Sequence, residues 1–204
     1  MRVLICLLLC NALLIGCSSH YRSSQQRVFI AEQVSFELIS QVPFSNGLNL
    51  TQSATATYQK QSHDLIFQTE IQRGQLAMVG LTPTGTRLFT IILQGGEINA
   101  HGLSAMVDKI KPQYLLADLQ LSLWPIQQVQ QAIKGGQARQ VSTSKRVIQR
   151  NGETVISVEY SQQPAFHGII HFTHHERGYS LHIEPLSVDI ADTEQATEND
   201  NNEP

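Results

Sequence analysis

Histidine is the residue of this sequence best suited to metal chemistry, and five of its eight histidines lie in one late segment. His167, His171 and His175 follow one another at intervals of four, so on one β-strand they would share a face. Imidazole nitrogens bind zinc and copper, but this spacing separates neighbours by ~13 Å along a strand, which is too far for one ion. A metal site would need ligands from adjacent strands, such as His182 across a hairpin, while His174 points to the opposite face. We therefore predict solvent-facing strand histidines and no metal site.

The cysteines belong to a different chemistry, which is concentrated at the N-terminus. Arg2 precedes an apolar stretch over residues 3–14 that is typical of a secretory signal and too short to span a membrane. The stretch ends in Leu-Ile-Gly-Cys at residues 14–17, which resembles the lipobox of bacterial lipoproteins, where the cysteine thiol accepts a diacylglycerol. We expect a signal peptide over residues 1–16 and lipidation of Cys17. An ordinary signal peptide followed by a chance cysteine is the alternative.

Lipidation of Cys17 would leave no thiol for other chemistry, because Cys6 and Cys10 would leave with the signal. Neither a disulfide nor a cysteine nucleophile is then expected. Each buried acyl methylene contributes about 0.8 kcal/mol and one chain anchors only marginally, so a multiply acylated cysteine would anchor firmly. In lipoproteins of Gram-negative bacteria, an aspartate after the cysteine usually causes retention in the inner membrane. This sequence has Ser18 there, so the resemblance implies the periplasmic face of the outer membrane.

Catalytic motifs are missing from the sequence. It contains no G-x-S-x-G elbow, P-loop, dinucleotide fingerprint or H-E-x-x-H. Asp108 and Asp118 are ten residues apart on either side of Pro112, and no local geometry pairs them. We expect neither an enzymatic activity nor a cofactor.

The charge is divided unevenly along the chain. Residues 189–204 hold six of the 17 acids and no base, which is typical of a disordered, solvated tail, with an acidic docking segment as the alternative. Without this tail and the signal, 13 bases and 11 acids leave a net charge of +2. Nucleic-acid binding needs dense basic patches, so it is not expected.

Most of the chain between residues 28 and 188 alternates apolar and polar side chains with a period of two, which indicates β-strands with one buried face. Glycine-containing turns separate these stretches and predict an antiparallel meander. An earlier strand with less regular alternation is expected within residues 28–42. The other predicted strands cover residues 64–71, 76–81, 86–93, 155–160, 168–173 and 179–183.

One segment changes to helical spacing. Leucines, isoleucines and a valine recur along one side of residues 112–134, and Pro125 fits the first turn of a second helix. Gly135-Gly136 would end that helix. The order of strands, helical hairpin and strands predicts an α+β domain with one antiparallel sheet and helices on a single face. We divide the chain into a signal peptide (1–16), a lipidated cysteine with a tether (17–27), this domain (28–188) and the tail (189–204).

Three segments carry a resemblance to a known family: residues 76–90, 115–125 and 178–183. The Asp-Leu-Gln-Leu-Ser-Leu-Trp-Pro run that starts at Asp118 is the most specific. They are similar to a family of proteobacterial lipoproteins of unknown function, whose genes often lie in aryl polyene pigment clusters. More distantly, the order of elements resembles LolB, the outer-membrane receptor for lipoproteins, in which an antiparallel half-barrel carries helices over an apolar cavity for acyl chains.

The LolB/LolA-like half-barrel implied by this resemblance predicts a hydrophobic-ligand cavity beneath the helices. Its candidate lining residues are Val79, Phe89, Ile91, Leu116, Leu119, Leu123, Trp124 and Ile126. Trp124 fits equally a core plug between the helices and the sheet. The turn Pro83-Thr84-Gly85 corresponds to a membrane-facing loop in which LolB has an exposed leucine, and Thr84 makes its tip polar here.

The resemblance implies an outer-membrane lipoprotein that binds a lipid or acyl-like ligand, such as an aryl polyene lipid in transit. Its partners would be the membrane, through the anchor, and other envelope proteins. A structural or protein-interaction lipoprotein with a filled core is the alternative.

Overall fold

The computed structural model describes residues 18–24, 26–103 and 110–190. Within these ranges the chain forms fourteen strands, two α-helices and a short 3₁₀ helix. The elements are β1 (Ser18–Ser23), β2 (Arg27–Ala31), β3 (Val34–Glu37), β4 (Leu48–Tyr58), β5 (Gln61–Gln72), β6 (Gln75–Leu81), β7 (Arg87–Gln94), β8 (Glu97–Leu103), α1 (Pro112–Leu123), α2 (Ile126–Ala132), β9 (Ile133–Lys134), β10 (Gln137–Ser142), β11 (Lys145–Arg150), β12 (Glu153–Tyr160), the 3₁₀ helix (Ala165–His167), β13 (Ile170–His174) and β14 (Tyr179–Asp189).

Eleven of the described strands form one antiparallel sheet, in the order β1-β8-β7-β6-β5-β4-β14-β13-β12-β11-β10. It consists of two five-stranded meanders, β4 to β8 and β10 to β14, in which consecutive strands pair, and of β1, which pairs with β8 at one edge. The meanders join where β14 pairs with β4, from Tyr179 opposite Tyr58 to Asp189 opposite Asn49. The sheet is open, because β1 and β10 are its two end strands.

Hairpin turns in this sheet use residues that tolerate a positive φ. At the β11–β12 turn, Asn151 has φ 51° and Gly152 has φ 87°. Asn-Gly is the favoured pair for a two-residue turn of this kind, since both central positions need a left-handed backbone. The short turn fixes the register of the two strands that it joins.

Alternation along the strands places one face of the sheet in the core. In β6, Leu76, Met78 and Gly80 are buried while the residues between them are half-buried. In β4, Leu48 and Leu50 are buried on the same face. This inner face is covered by α1, α2 and a second, three-stranded antiparallel sheet of order β2-β3-β9.

Two prolines define the helix pair. Pro112 lies in the first turn of α1, where its missing N–H needs no helical partner. Trp124 ends α1 in an extended conformation (ψ 151°), because the residue before a proline is disfavoured in the helical region. Pro125 is the N-cap of α2. The two predicted consecutive helices and the large antiparallel sheet are confirmed, while the second, three-stranded sheet was not predicted.

Several boundaries differ from the sequence predictions. The expected strand within residues 28–42 is two strands, β2 and β3. Ile133, predicted as helical, begins β9 and pairs with Phe36. The tether predicted over residues 17–27 contains β1, whose backbone pairs along β8. An edge pairing of this kind needs backbone hydrogen bonds rather than apolar side chains, which is why composition did not reveal it.

At the other end, Asp189 was assigned to the tail but is the last residue of β14. Ile190 follows it and is exposed, and residues 191–204 of the predicted tail lie outside the described residues. The predicted signal peptide and Cys17 lie outside them too.

Candidate functional site

A narrow apolar slot lies between α1 and the inner face of the large sheet. The cavity volume, measured as the space open to the centre of a water molecule, is about 50 Å³. All empty space between the walls, including the open mouth, amounts to about 500 Å³. A single water needs roughly 10–15 Å³ on the first measure, so the slot accommodates a few water-sized groups in a row. Its walls are formed by Gln52, Phe67, Thr69, Met78, Leu115, Asp118, Leu119, Ser122, Leu123, Ile170, Leu181 and Ile183.

Helix α1 forms the roof of the slot. Leu115, Leu119 and Ser122 follow at intervals of four and three, which puts them on one face of the helix. The opposite side of the helix carries Ala117 and Leu121, which are fully buried in the packed core. The leucines at the roof are only half-buried, so α1 is anchored on one side and faces open space on the other.

Strands from both meanders form the floor. β4, β5 and β6 contribute Gln52, Phe67, Thr69 and Met78, while the second meander contributes side chains of β13 and β14. The slot therefore extends across the line where β14 pairs with β4. Neither half of the chain could form it alone.

Asp118 places a carboxyl group in this apolar roof. Its side chain is 8% exposed, and the hydroxyl of Tyr179 on β14 donates a 2.6 Å hydrogen bond to its Oδ2. Burial raises the pKa of Asp118 to about 7, against the opposing effects of the Tyr179 hydrogen bond and the charge of Arg177. Burial also raises the pKa of Tyr179, with a further contribution from Asp118. A carboxyl of this kind exchanges between neutral and ionised forms near pH 7.

Two polar side chains of the floor each carry a buried atom that has no hydrogen-bond partner among the described residues. Gln52 and Thr69 are 4% and 3% exposed, and Gln52 Nε2 and Thr69 Oγ1 lack a hydrogen-bond partner in the described protein. Two other polar side chains at the slot are paired, since Ser122 Oγ donates to the carbonyl of Asp118 at 2.7 Å and Asp118 Oδ2 accepts from Tyr179. Buried polar atoms without partners are uncommon in native proteins and need a specific explanation.

A second, wider cavity lies beyond the C-terminal end of α1 and shares Ser122 and Leu123 with the slot. Its cavity volume on the same measure is about 400 Å³. Phe44 and Trp124 line it, with their rings edge-to-face at 5.9 Å. Trp124 is fully buried, and its Nε1 donates to the carbonyl of Gln41 at 3.0 Å.

Arg146 is buried at the wall of this second cavity. Its Nη1 donates to the carbonyl of Leu121 at 2.6 Å, and the hydroxyl of Tyr160 donates to the carbonyl of Ser122 at 2.8 Å. Both bonds satisfy carbonyls in the last turn of α1, where a cation is favoured by the helix dipole. Desolvation lowers the pKa of Arg146. We interpret Arg146 as a helix-capping group that holds the roof of the slot in place.

The structure brings two of the predicted cavity residues, Leu119 and Leu123, to the slot. Leu116, Phe89 and Ile91 are fully buried in the packed core and are not among the side chains that line the slot. Phe89 lies behind it, with its ring 6.2 Å from that of Phe67.

The other three candidates lie elsewhere. Val79 is on the outer face of β6 and lines a shallow depression there. Trp124 lines the second cavity and is also the core plug of the alternative interpretation. Ile126 is half-buried against the core.

The turn Pro83-Thr84-Gly85 is exposed at the β6–β7 hairpin. Its tip is held by hydrogen bonds from Gly85 N to the carbonyl of Thr82 and between the hydroxyls of Thr82 and Thr84, both 2.9 Å long. Ser18 pairs with Leu103, and the neighbouring Gly102 pairs with Phe89, so the start of β1 lies at the same end of the sheet as this turn.

The histidines are distributed as single or paired groups. His171 and His182 face each other across the β13–β14 hairpin, with Nδ1 atoms 3.1 Å apart, and His174 is buried on the other face. His167 lies in the 3₁₀ helix and His175 in the turn after β13. Over residues 18–24, 26–103 and 110–190, no three histidine, cysteine or acidic side chains are grouped closely enough to hold a metal ion.

Sequence reasoning missed the polar residues of the floor. A signal for Gln52 was present, because a glutamine at the inward position between Leu50 and Ala54 interrupts the apolar alternation of β4. Asp118 gave a similar signal within the leucine stripe of α1. Ile170, Leu181 and Ile183 were in predicted strands, but no local pattern reveals that these strands meet β4.

Comparisons with known proteins address the family and the fold. Residues 49–187 match the model of a family described as "Protein of unknown function (DUF3261)". No curated protein sequence matches the chain. Within the described residues, no helix is both long enough and apolar enough to cross a membrane.

Two solved structures are similar in the arrangement of the chain. A LolA superfamily protein from Nitrosomonas europaea is 8% identical, with a TM-score of 0.43 over 75% of this chain and 89% of that one. A domain from Vibrio parahaemolyticus, named for outer membrane lipoprotein sorting, is 9% identical, with a TM-score of 0.39 over 76% of this chain and 88% of that one. Scores of this size carry no argument about function.

Proposed function

Since this chain belongs to the DUF3261 family, whose description assigns no activity, we propose a function from the geometry of its slot. The protein binds the hydrocarbon chain of a lipid or acyl-like molecule between α1 and the large sheet. The observation that carries this proposal is the lining of the slot, in which eight of twelve side chains are apolar. Apolar clefts with a few polar groups are the usual form of a hydrophobic-ligand site.

Incomplete burial of the roof supports the same function. Leu115, Leu119 and Leu123 are half-buried, whereas Ala117 and Leu121 on the other side of α1 are fully buried. A bound hydrocarbon chain would remove the remaining apolar surface from water, at about 25 cal/mol per Å². The narrow cross-section of the slot suits a single chain better than a bulky ring system.

The open sheet fits the proposed half-barrel, with α1 as the cover of the slot. Because β1 and β10 do not close the sheet, the strands can curve around a ligand without forming a sealed core. Arg146 and Tyr160 hold the end of α1 through its carbonyl groups. The proposal contains no catalytic step.

A lipid on Cys17 would place this half-barrel at a membrane surface, and the periplasmic face of the outer membrane is the location that we propose. β1 begins at Ser18, so the anchor would adjoin the edge strand with no intervening spacer. The Pro83-Thr84-Gly85 turn lies at the same end of the sheet and would approach the same membrane. An aryl polyene lipid as the transported molecule is a finer proposal that rests on the sequence resemblance.

Purification from native membranes tests the proposal. The protein is extracted in mild detergent, washed and analysed by mass spectrometry for lipids that remain bound in stoichiometric amounts. We expect one acyl-containing compound to be retained by the wild type and lost from Leu119→Arg, in which a charge enters the slot. Equal lipid content in both preparations would contradict binding in the slot, and a wild type without bound lipid would favour a structural lipoprotein with a filled core.

A further inference from the structure

The floor of the slot carries two buried hydrogen-bonding groups that the binding of a plain hydrocarbon does not use. Gln52 Nε2 and Thr69 Oγ1 have no partner in the described protein, and both residues line the slot. Leaving such groups buried and unpaired costs free energy that an apolar side chain of the same size would avoid. A ligand group that pairs with them would recover that cost.

Strand register places Gln52 and Thr69 diagonally next to each other on adjacent strands. Leu50 pairs with Thr69 and Gln52 pairs with Phe67, so Gln52 and Thr69 are diagonal neighbours on the same face of β4 and β5. Diagonal neighbours in an antiparallel pair are within reach of a long side chain. The amide of Gln52 is a donor and the hydroxyl of Thr69 can donate, while a carbonyl oxygen accepts two hydrogen bonds.

The roof opposite this pair limits the charge of the ligand. Asp118 lies on α1 across the slot and takes its hydrogen bond from Tyr179. When its carboxyl is ionised, it would repel a ligand carboxylate in an apolar environment, where charges interact strongly. A neutral carbonyl avoids this repulsion.

We infer that Gln52 and Thr69 form a carbonyl-binding subsite, so that the slot takes an acyl chain attached through an ester or amide rather than a plain hydrocarbon. This inference rests on the proposed function, because the subsite lies within the same slot. It adds the chemical class of the ligand: an uncharged acyl ester or acyl amide whose carbonyl oxygen is held at the floor.

Competition with a fluorescent fatty-acid methyl ester, a probe without a carboxylate, tests the subsite. The competitors are a long-chain methyl ester and an alkane of equal length, delivered from the same carrier. We expect the wild type to prefer the ester by about tenfold, which corresponds to two neutral hydrogen bonds. In the double variant Gln52→Met, Thr69→Val, which keeps the side-chain sizes but removes the donors, we expect the preference to fall to near one.

Thr90 supplies the matched control. Its Oγ1 is also a buried hydroxyl without a partner, but it lies on β7 and does not line the slot. Thr90→Val should therefore keep the tenfold preference. If the double variant keeps it too, or if the wild type shows none, the subsite inference is overturned while hydrocarbon binding stands.

Melting curves distinguish the remaining outcomes. Removing an unpaired buried polar group should leave the melting temperature of the double variant unchanged or raise it. A drop of several degrees would show that the two groups are satisfied within the fold, by an ordered water for example, and would overturn the inference. If the wild type binds neither the probe nor the two competitors, the proposed function itself is contradicted.

Discussion

Tyr179 on β14 donates a 2.6 Å hydrogen bond to Asp118 on α1 and so joins the roof of the slot to its floor. The bond sits where the two meanders meet, because Tyr179 is also the first residue of β14 to pair with β4. It holds a carboxyl group in an apolar site and makes the protonation state of that group part of the stability of the fold.

Asp118→Asn should remove a pH dependence of stability. Because the folded pKa of Asp118 is raised from 3.8 to about 7, its contribution is fully present below pH 4 and is lost as pH rises to about 7. His174, whose pKa burial lowers to about 4, contributes in the opposite direction between pH 4 and 6.5. We therefore expect the unfolding free energy of the variant, relative to wild type, to increase by roughly 4 kcal/mol from pH 4 to above pH 7. Urea unfolding at a series of pH values measures it, and a flat difference would mean that the carboxyl is ionised throughout.

Tyr179→Phe should raise the pKa of Asp118 further. The hydroxyl stabilises the ionised carboxyl, so its removal favours the protonated form. A carboxyl ¹³C NMR titration would show the Asp118 midpoint moving upward from about 7, while Tyr58→Phe, at an exposed tyrosine, should leave it unchanged. A downward movement in Tyr179→Phe would be inconsistent with the hydrogen bond described.

Leu116→Ala and Leu119→Ala compare a packed leucine of α1 with a leucine of the same helix that lines the slot. Leu116 is 0% exposed in the packed core, so its truncation should cost about 2–5 kcal/mol through lost burial and a new cavity. Leu119 is half-buried and already faces the slot, so its loss should be clearly smaller. Chemical denaturation of both variants provides the comparison. Equal losses would indicate that the slot is filled by protein side chains.

The fold could be predicted from the sequence wherever the pattern is local. The alternation in β5 and the two prolines around α1 specify a strand and a helix break without reference to the rest of the chain. β4 was missed because Gln52 interrupts its inward pattern and small Ser, Thr and Ala residues fill much of the strand. Its second neighbour, β14, comes more than 120 residues later, and no local pattern contains that pairing.

The site was predictable to a smaller extent. The helical stripe that contains Leu119 and Leu123 indicates a face directed at the sheet, and both residues do line the slot. The sequence does not tell which inward residues meet open space and which meet close packing. Phe89 and Leu116 belong to the packed side, because their neighbours come from distant elements.

Cys17→Ala tests the predicted anchor. Without the thiol, no diacylglycerol can be attached, and the protein should move from the membrane fraction to the soluble fraction. Cys10→Ala makes the same substitution within the predicted signal peptide and should leave the protein in the membrane fraction. Immunoblots after an alkaline wash provide the measurement. Membrane retention of Cys17→Ala would contradict lipidation at this residue.

Saturable binding of a fluorescent fatty-acid methyl ester tests the central claim most directly, with Leu119→Arg and Leu186→Arg as a matched pair. Leu119 lines the slot, whereas Leu186 is 58% exposed on the surface, so the same charge enters the slot in one variant and solvent in the other. The account predicts saturable binding by the wild type and by Leu186→Arg, and its loss in Leu119→Arg with the circular dichroism spectrum retained. No saturable binding by the wild type, or equal binding by both variants, would contradict a lipid-binding slot beneath α1.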